Sequence, residues 1–229
     1  MTVGKLARKV LGPAFFTRVA HYYRAFFVNL AKVVDTFARE IPQGAHVVDV
    51  GGGDGAPLNY LLQARPDITI SMLDLAPSIG GAIEPRFETR TRRLPGVSIA
   101  DYLASGGARA DAVIVSDVVH HVPVEAREEF FRDLGRLAAT PGTVVMIKDV
   151  EPSGARAWLS YLADRYISGD RRVSLISRGT LRGLLSRHID NASIREGALY
   201  RQDAPNYVLV AVTGGAAPAA VPAGAQQSS

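Results

Sequence analysis

Apolar residues recur along this chain with two different periods. Phe15, Val19, Tyr22, Phe26, Leu30, Val33 and Phe37 follow one another at steps of three or four. That spacing lines one face of a helix and predicts a long N-terminal helical cap over residues 1–40. Beyond the connector Ile41-Pro42-Gln43-Gly44 the pattern changes to short apolar runs that end in acids. Val47 to Val50 carries Asp49; Ile68 to Leu73 ends at Asp74; Val97 to Ala100 ends at Asp101-Tyr102. Ala112 to Ser116 ends at Asp117, and Thr143 to Lys148 ends at Asp149. Helices are predicted between them at Ala56 to Gln63 and Val124 to Ala138, with a further helix start at Ala76-Pro77-Ser78. The second of these carries Glu125, Glu128 and Glu129 in its first turns, where the helix dipole favours acids. Phe87 to Leu94 is rich in Arg and predicts no element.

Strands alternating with helices argue a parallel, doubly wound sheet. Such sheets bind ligands beyond the carboxyl ends of their strands. Asp74, Asp101, Asp117 and Asp149 all stand at such ends in this reading, which argues for one shared site. After strand five, Ala155 to Ser168 and Thr180 to Arg187 read as helices. Ser193 to Tyr200 and Tyr207 to Val212 read as two final strands joined by a turn at Asp203 to Asn206. From Thr213 to Ser229 only small, polar and turn-forming residues remain beside a few alanines and one valine. Such a stretch buries too little to order itself, so 213–229 reads as a disordered tail after a single domain over 41–212.

Composition narrows the function classes. At 229 residues, 47% of them hydrophobic, the chain can bury one sizeable core. There is no cysteine, which removes disulfides, thiolate metal sites and a Cys nucleophile, and fits a reducing cytoplasm. A net charge of +4 invites a nucleic-acid reading, but the basic residues are scattered among 22 acids, as on an ordinary solvated surface. No apolar run approaches the roughly 20 residues that span a bilayer. Met1 to Val34 holds Lys5, Arg8, Lys9, Arg18, Arg24 and Lys32 without an acid, so contact with a membrane surface is a competing account of the first helix. The cap is preferred because the apolar face continues into the acidic stretch around Asp35 and Glu40. No stable membrane association and no nucleic-acid partner are expected; a homodimer is left open.

The most informative stretch is Asp49-Val50-Gly51-Gly52-Gly53-Asp54-Gly55. A strand that runs into glycines and then a helix lets bare backbone approach a ligand, and the helix start offers unpaired N–H groups. Gly51-x-Gly53-x-x-Ala56 meets the dinucleotide fingerprint too, with Asp74 roughly 20 residues on. An NAD(P)-dependent oxidoreductase is therefore the alternative. Asp49 inside the strand end, and the acids ending the next strands, tilt the choice. The stretch resembles the first motif of the class I S-adenosylmethionine (SAM)-dependent methyltransferases, an acid and an apolar residue followed by Gly-x-Gly-x-Gly.

That resemblance implies a Rossmann-like, mostly parallel seven-stranded sheet with an antiparallel C-terminal hairpin. It also implies a role at each matching position. Gly51, Gly53 and Gly55 would admit the amino-acid part of SAM, with Asp49 bracing the turn by accepting its N–H groups. Asp74 would accept both ribose hydroxyls, and Asp101 the adenine amino group, while Tyr102 lines the ring. Asp117-Val118-Val119-His120-His121-Val122-Pro123 looks like the family's fourth motif, which lines the methyl-transfer site. His120 or His121 could serve there as a general base; the alternative for either is a packing role. Lys148 and Asp149 end strand five on the same cleft. Catechol-type relatives bind magnesium with an acid after strand four and an Asp-Asn pair after strand five. Asp117 and Asp149 match two of those places, but Val150 replaces the Asn, so magnesium is not expected. Tyr161, Asp164 and Arg165 lie on a helix that in such enzymes often covers the acceptor. The implied reaction is O-methylation of a small polar acceptor, a sugar or a phenolic natural product, with a lipid acceptor behind them.

Overall fold

The computed structural model describes residues 30–152, 174–197 and 206–214. The expected helix at 155–168, with Tyr161, Asp164 and Arg165, lies outside the described residues, as do residues 1–29 of the expected cap and the tail beyond Gly214. The first described element is α1 (Leu30–Glu40), the C-terminal part of the predicted cap helix. Then come β1 (His46–Val50), α2 (Ala56–Ala64), β2 (Thr69–Asp74), a 3-10 turn at Pro85–Arg90 and β3 (Thr91–Pro95). They are followed by α3 (Ile99–Ala104), β4 (Ala112–Ser116), α4 (Arg127–Leu137), β5 (Val144–Val150) and α5 (Arg178–His188). The hairpin β6 (Ser193–Glu196) and β7 (Asn206–Val212) closes the fold.

These strands form one seven-stranded sheet in the order β3-β2-β1-β4-β5-β7-β6. β1 to β5 run parallel, and β7 is antiparallel to both β5 and β6. The order reverses between β1 and β4, which is where a doubly wound sheet opens its ligand crevice.

Alternation along the strands feeds two cores. On one face Val47, Ile70, Met72, Ile114, Met146, Val208 and Val210 pack with Val33 and Phe37 of α1 and Leu58, Leu61 and Leu62 of α2. On the other, Val48, Val113, Val115, Val145, Ile147 and Leu209 meet Phe131 and Leu134 of α4 and Leu181 and Leu185 of α5. Burial on both sides is why the strands read as continuous apolar runs rather than alternating ones. Arg65 fastens the corner between the layers. It donates to the carbonyls of Ala38, Ile41 and Pro42 at the end of α1 and grips Asp67 through two bonds of 2.8 and 2.7 Å. A cation there satisfies carbonyls that the helix end leaves open.

Four expectations about elements need correction. Strand three is Thr91–Pro95, not Val97 to Ala100. As an edge strand beside β2 it exposes Arg92 and leaves Arg93 half-buried, so it shows no apolar run to read. Val97 to Ala100 instead leads into α3, because Ser98 and Asp101 form a capping box. Ala76-Pro77-Ser78 starts no helix; residues 75–78 form bends. β5 continues through Asp149 to Val150, because β7 pairs with it along that length. Thr213 is no part of a loose tail. It is buried, and its hydroxyl donates to the Thr140 carbonyl while accepting from the Thr143 N–H.

Candidate active site at the carboxyl edge of the sheet

β1 delivers the glycine turn to the open end of the sheet. Gly51, Gly53 and Gly55 take φ values of 75°, 53° and 78°, a region that costs other residues strain. The Gly51 N–H donates to the Leu73 carbonyl at 2.7 Å, and the Gly53 N–H to Asp74 Oδ2 at 2.9 Å. Asp74 Oδ1 accepts from the Ala76 N–H at 2.8 Å. The end of β2 thus braces the turn, and each Asp74 oxygen keeps a lone pair for a further donor. A Cβ at Gly53 would meet nothing within 4 Å, so the space beside that residue is open. The loop after β2 closes over the turn through Gly80 N–H to Gly53 O and Ala82 N–H to Asp54 O.

Asp49 does not brace the turn by accepting its N–H groups. It is 3% exposed, and its Oδ2 is buried without a hydrogen-bond partner. Burial, with Asp74 adding a second negative charge, pushes its carboxyl up from 3.8 to about 8. Near neutral pH Asp49 is therefore a protonated acid.

Asp101 and Tyr102 stand in α3 rather than at a strand end. The Asp101 carboxylate accepts from the Ser98 hydroxyl at 2.6 Å and the Ser98 N–H at 3.2 Å, and these bonds hold it below its ordinary value. Tyr102 is buried in the core with its hydroxyl donating to the Ala108 carbonyl at 2.9 Å. Sequence reasoning passed over Leu75, which follows Asp74 and is 75% exposed. It is a large apolar side chain left in solvent beside the acid that ends β2, an exposure that the sequence by itself does not display.

β4 and β5 supply the second half of the site. Asp117 follows β4 in a left-handed conformation, φ 59°, which Asp tolerates better than most side chains. Its N–H donates to the Lys148 carbonyl at 2.9 Å, and its Oδ1 accepts from Lys148 Nζ. Lys148 is 1% exposed, so this bond neutralises a cation held inside the protein. Asp149 is fully buried. Its Oδ1 accepts from His120 Nδ1 at 2.8 Å and from the Val150 N–H at 2.7 Å, and its Oδ2 from the His120 N–H at 3.3 Å. The His121 ring lies 4.2 Å from that of His120, tilted by 47°. His120 is buried, whereas His121 is exposed.

Two further residues converge on Asp149 that the sequence did not single out. Tyr207 sits opposite it across the β5–β7 pair and donates to the Ile176 carbonyl. Burial, then the negative charge of Asp149, pushes its phenol upward. Arg127 donates to the carbonyls of Val122 and Ser174. Only the antiparallel register places Tyr207 there. Asp117 and Asp149, the candidate magnesium ligands, do not act together: one is committed to Lys148, the other to His120. A divalent ion would have to displace the ammonium, so the residues present do not fit it.

A glycine turn under a doubly wound sheet, with an antiparallel final strand, belongs to one of the two classes left open above. Residues 19–188 match the methyltransferase domain family, and the chain belongs to that family. It is 29% identical over 175 residues to the 2,7-dihydroxy-5-methyl-1-naphthoate 7-O-methyltransferase of Streptomyces carzinostaticus. The alignment covers 75% of this chain and 50% of that enzyme, so the chain spans about half the length of the curated relative it matches. Human N-acetylserotonin methyltransferase in complex with SAM has a similar fold, with a TM-score of 0.63 at 17% identity over 88% of this chain and 55% of that one. So has an O-methyltransferase of neocarzinostatin biosynthesis, solved with SAM and 2-hydroxy-5-methyl naphthoic acid. Its TM-score is 0.60 at 20% identity, covering 93% and 61%. Among the described residues no helix is long and apolar enough to cross a membrane.

Proposed function

We propose that this chain is a SAM-dependent O-methyltransferase acting on a hydroxyl of a phenolic small molecule. The observation that carries it is the open glycine turn between two acids, one unpartnered and one part-used, in a chain of the methyltransferase domain family. The residues fit SAM. Gly53 leaves room for its amino-acid part, Asp74 has acceptor capacity for a ribose diol, and exposed Leu75 offers an apolar surface to a purine face. Leu75 thus takes the lining role that Tyr102 has no free face to fill. When bound, SAM supplies a methyl group on a positively charged sulfur.

The chain's own residues supply the rest. His120 donates Nδ1–H to Asp149, which makes Nε2 the basic nitrogen. It takes the acceptor's proton, and Asp149 stabilises the imidazolium that results. Lys148 and Asp117 hold the ends of β4 and β5 at a fixed spacing, which serves an in-line transfer that depends on positioning. The phenolic class rests on the naphthoate relative and on a histidine–carboxylate pair, which suits an acidic hydroxyl. Labelled SAM offered with phenolic, sugar and lipid acceptors tests this. Label on the phenol oxygen is the expected result, and transfer to none of the three classes would sink the proposal.

A further inference from the structure

Asp49 is a buried acid that the proposed reaction does not use. Its carboxyl lies directly beneath the glycine turn, where a Cβ on Gly52 would collide with Oδ2 and stand 3.0 Å from Met72 Cε. Its neighbours in the sheet are Met72 of β2 and Ile114 of β4, both apolar. The charged group acting on it is the Asp74 carboxylate at the end of β2. Asp54 of the turn is exposed and accepts from Ala56 N–H, and beyond β4 Lys148 is already engaged by Asp117. Among the described residues Oδ2 therefore has neither a hydrogen-bond donor nor a cation beside it, and it is shut off from solvent.

We infer that Asp49 is a proton switch read by the charge of the cofactor: neutral in the free protein, it ionises when a cationic ligand settles on the turn above it. The inference rests on the assignment of SAM to this turn. SAM brings a sulfonium and an ammonium group, and an opposite charge close by favours the ionised form of a carboxyl. On binding, the O–H bond of the Asp49 carboxyl breaks, its electron pair stays on the oxygen, and the proton passes to buffer. Cofactor affinity then rises with pH until the free protein's Asp49 ionises by itself, near 8. A neutral ligand in the same turn would leave the proton in place.

Calorimetric titration of the protein with SAM at about pH 6.5, in two buffers of different ionisation enthalpy, counts the protons exchanged. The wild type should release close to one more proton per SAM bound than Asp49→Asn does. The variant supplies the baseline for SAM's own ammonium group. Equal proton counts in the two proteins would overturn the inference while leaving SAM binding intact. Absence of any SAM binding by the folded wild type would remove the cofactor assignment and the switch with it. If Asp49→Asn does not fold, infrared difference spectra of the wild type decide instead. Loss of the protonated-carboxyl band on adding SAM is expected, and a band that persists would overturn the switch.

Discussion

Two pairs of acids stand at the carboxyl edge of the sheet, and the protein treats them in opposite ways. Asp117 and Asp149, at the ends of β4 and β5, each have a cationic or proton-donating partner in Lys148 and His120. Among the described residues Asp49 and Asp74, at the ends of β1 and β2, have only backbone N–H groups or each other. The first pair is a finished structure that holds its charges ready. The second is unfinished, because burial, with the Asp74 charge beside it, raises the Asp49 carboxyl until it goes neutral. In the proposed reaction this difference assigns the ligand's positive charge to the β1–β2 side and the proton chemistry to the β4–β5 side.

The largest expected effect concerns Asp49 in the free protein. Its folded value of about 8 lies above the unfolded 3.8. The native state therefore binds more protons than the unfolded one across that window, and stability falls as pH rises through it. At about 1.4 kcal/mol per pH unit the full loss is roughly 6 kcal/mol. Asp49→Asn lacks the titration. Its melting temperature should gain on the wild type steadily from about pH 4 to about pH 8 and no further. A constant offset across that range would show that Asp49 is ionised throughout, and the contrast between the two pairs would vanish.

His120 comes next. His120→Ala should lower kcat by roughly 10²–10⁴-fold with SAM affinity nearly unchanged, measured by steady-state kinetics beside direct titration. Asp149→Asn should lose activity in the same direction, since an amide can stabilise the wrong imidazole tautomer. Chelation with EDTA should leave turnover as it was. Full activity in His120→Ala would return that residue to packing and pass the base role to His121.

Asp117→Asn keeps a residue suited to φ 59° but leaves the Lys148 ammonium buried without its counter-charge. The cost should be about 3 kcal/mol in chemical denaturation. Lys148→Met, which removes the buried charge itself, should cost less. The reverse ranking would mean that the pair is held by packing rather than charge. The smallest effect belongs to Leu75. Leu75→Ser should raise the SAM Kd by less than tenfold, with no change in melting temperature, because that side chain is 75% exposed in the free protein and in the proposed complex packs on the ligand.

The sequence determined most of the frame by itself. Doubly buried strands cannot hide as patterns, so β1, β2, β4, β5 and β7 were legible to within one or two residues. The glycine turn was legible because left-handed backbone admits few residue types. Position alone placed Asp74, Asp117, His120 and Asp149 at one edge. Hydrogen bonding and charge compensation were decided by the tertiary structure. β3 could not be read because an edge strand with one exposed face carries arginines where an inner strand carries valines. Asp101 looked like a strand-end acid until Ser98 claimed it as a cap, since a capping box and a ligand-binding acid use the same short residue types. Whether an acid is a charged acceptor, a base-orienting partner or a neutral donor depends on what lies within a few ångströms. For Asp49, Asp117 and Asp149 those neighbours come from strands far apart in the chain, brought together only when the sheet forms.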